Sequence, residues 1–236
     1  MIYVDSRYGN KEGTSAHEFQ HMINWSMDPK EEIWINEGCS TLAELLMGYN
    51  EWTGNQYVKN TDVELTLWDG EIRDYEKVFL WTTYLWERVG DEGIRTMVRR
   101  QENGIKGVDS MLVERGYSER FIDIHKDYAV ALYCDNPDSG FYNGRYGFRS
   151  VNVPAPSMAF FVSSYPCSLR EEYINSTGID YIWFLNLPDS LTIDFDGYNS
   201  GTALTYYPYV LHGDSRYIIE IADEFILDEN YDGHYA

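Results

Sequence analysis

Two histidines four residues apart are the side chains in this sequence best placed to bind a metal ion together. The stretch "AHEFQH" puts His17 and His21 on either side of Glu18, in a chain that has only five histidines. Positions i and i+4 of an α-helix lie on one face, so both imidazoles can reach a single ion. Glu18 is offset around the helix and can contact a water molecule on that ion without being a ligand. The pattern predicts a metal site suited to activating water.

An ordinary structural helix is the alternative interpretation of the same residues. Ser15 and Glu18 also fit a capping box, in which Ser15 begins the helix and Glu18 accepts a hydrogen bond from its backbone amide. Histidines on helices more often make structural hydrogen bonds than bind metals. Taken alone, the stretch leaves both interpretations open.

A third ligand would favour the metal site, because zinc held by two histidines needs one more protein ligand while its fourth position stays available to water. Glu37, in "WINEGCSTLAE", follows His21 after fifteen intervening residues and lies near the start of a second predicted helix. A turn at Asp28-Pro29 would let this helix fold back beside the first. Three nearby carboxylates are alternatives: Glu31, Glu32 and Glu44. The sequence context favours Glu37.

Helices that could position these residues are predicted throughout the first part of the chain. Apolar residues recur three and four positions apart in five segments up to about Asp135. These segments are "TSAHEFQHMINW", "NEGCSTLAELLMGY", "YEKVFLWTTYLWERVG", "GIRTMVRR" and "RFIDIHKDYAVALY". We expect at least five helices.

The remainder of the chain has the pattern of a β module. "CDNPDSGFYNGRYG", residues 134–147, is dense in Gly, Asn, Asp and Pro, which is typical of a linker. Short aromatic and β-branched runs follow, namely "SMAFFVSS", "IDYIWFLNLP", "SLTIDFDG", "TALTYYPYVL" and "RYIIEIAD". We therefore predict an α+β protein with two domains: a mainly helical region at residues 1–137 and a small all-β sandwich at residues 148–236.

Composition excludes some partners. The formal net charge of −21 would repel phosphate backbones, so nucleic acid is not an expected partner. No apolar run approaches the length of a membrane span. Three widely spaced cysteines, Cys39, Cys134 and Cys167, predict buried free thiols without a disulfide framework. The acidic, Tyr- and Asn-rich composition leans toward an extracellular or cell-surface protein, and the aromatic strands could contact a surface or a carbohydrate.

"AHEFQH" followed by "WINEGCSTLAE" resembles the gluzincin metallopeptidases, with the hyicolysin-like group the nearest resemblance, and the likeness covers roughly residues 1–135. It implies a zinc peptidase acting on proteins or peptides, with His17, His21 and Glu37 as ligands and Glu18 as general base. The alternative is a catalytically inactive binding or attachment protein of the same fold. Two features depart from the family pattern: the interval from His21 to Glu37 is shorter, and the substrate-binding sheet that precedes HExxH is nearly absent. Ile2–Val4 is a predicted strand that needs neighbours, so we expect a preceding region.

A tyrosine is the expected partner of the developing oxyanion in such a reaction. "YEKVFLWTTYL" resembles a helix of aminopeptidase N-type enzymes whose tyrosine hydroxyl stabilises the tetrahedral intermediate, and this resemblance implies that role for Tyr75. A donor aimed at an oxyanion is often worth a few kcal/mol. Tyr84 and His125 are the alternatives.

Overall fold

A computed structural model of the chain describes residues 11–138, 143–169 and 174–186, together with four strands between residues 190 and 228. The protein is α+β, with helices first and short strands after them. The described residues form five α-helices: α1 (Lys11–Met27), α2 (Ile33–Leu46), α3 (Ile72–Val98), α4 (Gly104–Glu114) and α5 (Phe121–Cys134). A short 3-10 helix, Tyr57–Lys59, lies between α2 and α3. The predicted strand at Ile2–Val4 lies outside the described residues.

The predicted helices are confirmed at α1, α2 and α5, with differences at α3 and α4. Two predicted segments form the two parts of α3, whose backbone leaves helical geometry at Gly90 (φ 69°, ψ −179°). The sequence prediction missed α4, which contains two glycines and is therefore a weak helix by propensity. Val108, Met111 and Leu112 are fully buried, so packing rather than propensity accounts for this helix.

Two compact units divide the chain. The first, here called the helical unit, runs to Ser157 and also takes in Thr177–Ile179. Its core is built around α3, where Trp81 contacts Trp34 of α2 and Phe121 of α5 at ring-centroid distances of 5.2 and 5.5 Å. All three rings are buried, so α2 and α5 pack against α3 through aromatic side chains.

Helix α1 buries polar residues and exposes apolar ones, which reverses the usual amphipathic pattern. Its buried residues are Gly13, His17 and Asn24. Four large apolar side chains of the same helix are exposed: Phe19, Met22, Trp25 and Met27. The apolar periodicity therefore predicted the helix correctly but not the face that it buries, because α1 contacts α2 through hydrogen-bonded side chains.

The second, here called the strand-bearing unit, comprises Met158–Ser176 and the residues from Asp180 onward. Its described strands are β1 (Phe160–Val162), β2 (Ile182–Phe184), β3 (Ser190–Asp194), β4 (Tyr209–His212), β5 (Tyr217–Glu220) and β6 (Glu224–Asp228). They pair two by two: β1 with β2 in parallel, β3 with β6 and β4 with β5 antiparallel. Five of the six fall in predicted runs. A sandwich of two packed sheets stays a prediction.

Hydrogen bonds join residues of the predicted linker, and those directly after it, to the helical unit. Asp135 accepts backbone hydrogen bonds from Phe148 and Val153 at 3.0 and 3.1 Å. The Tyr84 hydroxyl donates to the Arg145 carbonyl at 2.7 Å. The strand-bearing unit therefore begins later than residue 148, after Ser157.

The three cysteines carry thiols that are not joined in disulfides, and their burial differs. Cys39 is buried, Cys134 is half-buried and Cys167 is exposed, so the expectation of buried thiols holds for Cys39 alone. In the part of the chain that the structure describes, none of the helices combines the length and the apolar character needed to cross a bilayer.

Candidate metal centre

His17, His21 and Glu37 come together where α1 packs beside α2, and the three could hold a metal ion. One Glu37 oxygen, Oε2, lies 3.1 Å from His17 Nε2 and 3.5 Å from His21 Nε2. Ligand atoms bound tetrahedrally at zinc are about 3.3 Å apart, given bonds of about 2.0 to 2.1 Å. These two separations lie on either side of that value, so each histidine–Glu37 pair fits an edge of a tetrahedral site.

The His17 ring is oriented so that its Nε2 atom faces Glu37. Its other ring nitrogen, Nδ1, lies 2.7 Å from Oε1 of the buried Glu44. A carboxylate accepts hydrogen bonds, so Nδ1 carries the proton and donates to Glu44. This is the arrangement that fixes the tautomer and the ring orientation of a metal-binding histidine.

His21 is oriented in the same way by an amide. Its Nδ1 lies 3.0 Å from Asn36 Oδ1, and the Asn24 amide donates to that same oxygen at 2.7 Å. Gln20 in turn donates to Asn24 Oδ1 at 3.0 Å. These hydrogen bonds turn the Asn36 oxygen toward His21 Nδ1, which donates to it. The Nε2 atom of His21 then faces Glu37.

The alternative third ligands have other partners. Glu44 contacts the far side of His17, as described above. Glu31 accepts a backbone hydrogen bond from Gly104 at 2.9 Å, and Glu32 accepts one from the Trp34 indole at 2.7 Å. Glu37 is thus the carboxylate that meets both Nε2 atoms.

The capping-box interpretation of Ser15 is wrong. Ser15 lies in the second turn of α1, and its hydroxyl donates to the Lys11 carbonyl at 2.7 Å. Asp28 and Pro29 form the predicted turn, which Asp28 stabilises by accepting the Lys30 amide at 2.9 Å.

Electrostatics couple the three candidate ligands. Burial alone would lower the pKa of His17, but hydrogen bonds to Glu37 and Glu44 and their charges outweigh it and raise that pKa to about 9. Burial would also lower the pKa of His21, which is raised by Glu37 and Asn36. Burial opposes ionisation of Glu37, yet the two histidines hold its pKa at about 2. The carboxylate is therefore an anion throughout the physiological range.

Tyr75, at the start of α3, lies beside this cluster. Its ring centroid is 6.3 Å from that of His17. Burial, followed by the charges of Glu37, Glu18 and Asp74, raises the pKa of Tyr75, so its hydroxyl keeps its proton and can donate. Glu18 is half-buried next to His17 on α1.

The two alternatives to Tyr75 are wrong, because both serve the packing of the helical unit. The Tyr84 ring is fully buried against Tyr128 and Phe148. His125 is buried, stacks on Phe121 and contacts the Thr177 carbonyl through Nε2 at 3.0 Å. Burial lowers the pKa of His125 to about 4, so it is a neutral core residue.

Sequence reasoning missed several residues that support the cluster. Asn36 directly precedes Glu37, so its position in the motif could have suggested a role. Ser40 also lies near His21 Nδ1, at 3.1 Å, one helical turn after Glu37. Trp52, which contacts Glu44 and Tyr75, lies in an irregular segment, where no periodicity could have selected it.

Comparison with known proteins adds no family assignment: none of the protein-family models matches the sequence, and a search of curated proteins also finds no match.

Proposed function

We propose that the protein is a zinc-dependent peptidase whose ion is held by His17, His21 and Glu37. The observation that carries the proposal is the meeting of two histidine Nε2 atoms and one ionised carboxylate oxygen, each histidine being oriented through its other nitrogen. Two imidazoles and a carboxylate suit zinc among the common divalent metals. Zinc bound there would lower the pKa of a water molecule and polarise the scissile carbonyl.

The chain's own residues supply the remaining steps. Glu18 accepts the proton of the attacking water and delivers it to the leaving amine, since it is next to a ligand without being one. Tyr75 donates its hydroxyl hydrogen to the oxygen that gains negative charge, which its raised pKa permits. Glu44 and Asn36 hold the two imidazoles in place while the substrate binds.

The proposed substrate is a protein or peptide, and the proposed setting is extracellular or at a cell surface. The net charge of −21 would repel strongly negative substrates, so the chain favours substrates without strong negative charge. A contact with a surface or a carbohydrate through the strand-bearing unit is a further proposal.

Activity on an unstructured protein such as casein, measured for wild type and Glu18→Gln, tests the proposal. We expect cleavage by the wild type and a loss of at least about a hundredfold in Glu18→Gln, with zinc content unchanged, because the variant removes a proton acceptor and no ligand. Glu12→Gln, an exposed carboxylate on the same helix, is the matched control and should cleave normally. A chain that binds zinc but does not cleave, or a Glu18→Gln variant with full activity, would contradict the proposal; the former result would favour the inactive binding protein.

A further inference from the structure

Trp52 contacts both Glu44, the hydrogen-bond partner of His17, and Tyr75. Its indole Nε1 donates to Glu44 Oε1 at 3.2 Å, and this is the oxygen that also accepts from His17 Nδ1. Its ring stacks on that of Tyr75, with centroids 5.2 Å apart and planes inclined by 6°. One side chain therefore spans the distance from α3 to the carboxylate behind His17.

The backbone of Trp52 is held in place by Asn50. The Asn50 side chain accepts the Trp52 amide hydrogen at 3.1 Å and donates to the Trp52 carbonyl at 3.0 Å. Further along, Glu76 accepts the backbone N–H groups of Gln56 and Tyr57 at 2.5 and 3.0 Å. Glu76 is buried and directly follows Tyr75. Helix α3 therefore holds the loop that places the Trp52 indole against Tyr75.

A second tryptophan, Trp68, also contacts Tyr75. Trp68 packs edge-on against Tyr75, with centroids 4.9 Å apart. Asp74 accepts the amide hydrogens of Asp69 and Glu71, and the buried Lys77 pairs with Asp74 at 2.7 Å while donating to the Leu67 carbonyl. The loop carrying Trp68 is thus anchored by the first turns of α3.

We propose that Trp52 is a positioning residue for the metal ligand His17, acting through Glu44. This inference rests on the proposed zinc site. Glu44 Oε1 receives two donors from different directions, so the indole N–H limits the rotation of the carboxylate and hence the tilt of the imidazole. Stacking on Tyr75 keeps the indole at the angle at which its N–H reaches Glu44.

The test is the affinity of the full chain for cobalt(II), measured by competition with a chelator and by the visible absorption of the bound ion. Trp52→Phe keeps an aromatic ring for stacking and removes the N–H, and we expect about tenfold weaker binding with a changed absorption band. Trp68→Phe is the matched control, because Trp68 also packs on Tyr75 but makes no hydrogen bond to Glu44 among those described; it should bind cobalt like the wild type. If Trp52→Phe folds poorly, benzothienylalanine at position 52 replaces it in the test, because this residue has the shape of tryptophan without the N–H. It should give the same loss of affinity that is expected for Trp52→Phe, about tenfold.

A double-mutant cycle with Glu44→Gln decides whether Trp52 acts through Glu44. If it does, Trp52→Phe should weaken cobalt binding much less in the Glu44→Gln background than in the wild type. Wild-type affinity in both Trp52 variants, additive losses in the cycle, or an equal loss in Trp68→Phe would overturn the inference. Failure of the wild type to bind cobalt or zinc would overturn the proposed function as well, whereas metal binding without peptide cleavage would leave the role of Trp52 standing.

Discussion

At the level of single residues, the site is defined by which nitrogen of each histidine carries the proton. Glu44 and Asn36 each face an Nδ1 atom and turn the Nε2 atoms toward Glu37. A chain with two well-spaced histidines but without those partners would have flexible rings and weak affinity. The supporting residues therefore add to the affinity that the ligands provide.

The pH dependence of zinc affinity follows from the raised pKa of His17. With a pKa of about 9, the imidazole holds a second proton at neutral pH that an ion must displace, whereas Glu37, with a pKa of about 2, is already ionised. Zinc affinity should therefore rise at least about tenfold per pH unit between about pH 6 and pH 8. Titration calorimetry in several buffers should show proton release on binding. A flat affinity over this range would contradict the account.

The sequence predicted that His17 and His21 lie together because a spacing of four residues is about one helical turn. Glu44 lies two turns after Glu37 on the same face of α2, so the sequence predicts it either as an alternative ligand or as a partner that orients one. Its contact with His17 Nδ1 depends on how closely α1 approaches α2, which spacing does not specify. Trp52 could not be predicted at all. Its position depends on side-chain hydrogen bonds to Asn50 and on a loop fixed by Glu76, and such irregular backbone leaves no period in the sequence.

At the level of elements, α1 is the helix with the least apolar burial, since its buried residues are Gly13, His17 and Asn24. Polar contacts with α2 hold it, so its local stability should be low. Zinc held by His17 and His21 of α1 and by Glu37 of α2 would join the two helices. We expect zinc to slow amide hydrogen exchange in residues 11–27 more than in α5, as measured by mass spectrometry. Equal protection of both helices would show that the ion does not join α1 to α2.

Gly38 explains how closely α2 approaches α3. A Cβ at this position would overlap the Thr82 side chain and lie 3.4 Å from the Val78 carbonyl. Gly38→Ala should therefore lower the free energy of unfolding by about 1 to 3 kcal/mol, as measured by chemical denaturation. Zinc affinity should fall too, because Glu37 is the preceding residue.

The Thr82→Ala change is the matched test of that prediction. Thr82 Oγ1 is buried without a hydrogen-bond partner among the described residues, so Thr82→Ala alone should cost little. The double variant Gly38→Ala/Thr82→Ala should recover much of the lost stability because the overlapping hydroxyl is gone. Strictly additive losses would show that α2 is displaced by something other than Thr82.

Helix periodicity predicted the presence of elements better than their burial. The buried face of α3 carries Asp74, Glu76 and Lys77 alongside its apolar residues, because these polar groups anchor neighbouring loops. The period of α1 indicated an apolar face that the structure leaves exposed. In each case the buried polar side chains make hydrogen bonds to a neighbouring loop or helix, and local spacing carries no information about those bonds.

At the level of the whole molecule, the helical unit is completed by residues far along the chain. Thr61 donates its hydroxyl to the Ile179 carbonyl at 2.6 Å and accepts the Ile179 amide at 3.1 Å. Thr177 accepts hydrogen bonds from Leu65 and lies against His125. The sequence predicted two consecutive domains, and these contacts, which join positions 52 to 118 residues apart, could not be inferred from composition.

His125 makes stability depend on acidity. Its pKa is about 4 in the folded protein, against an ordinary value of 6.5 when exposed, so the unfolded chain binds a proton that the folded chain does not. Its contribution is present above about pH 6.5 and is lost as the pH falls toward 4. His125→Gln keeps an N–H donor without titrating, so relative to this variant the wild type should lose about 2 kcal/mol between about pH 7 and pH 4.5. If the free energy of unfolding changed equally with pH in the two proteins, His125 would not be the source of the acid dependence.

The most direct test of the account is calorimetric titration of the metal-stripped chain with zinc, in the wild type and in Glu37→Gln. The account predicts one zinc per chain for the wild type and a loss of most of the affinity in Glu37→Gln, which keeps the size of the side chain and removes its charge. Glu12→Gln, an equal change of charge at an exposed position of α1, should bind zinc like the wild type. Glu44→Gln should lose about ten- to a hundredfold, less than Glu37→Gln. Zinc binding by Glu37→Gln at wild-type affinity, with loss in Glu44→Gln instead, would contradict the central claim that His17, His21 and Glu37 form the site.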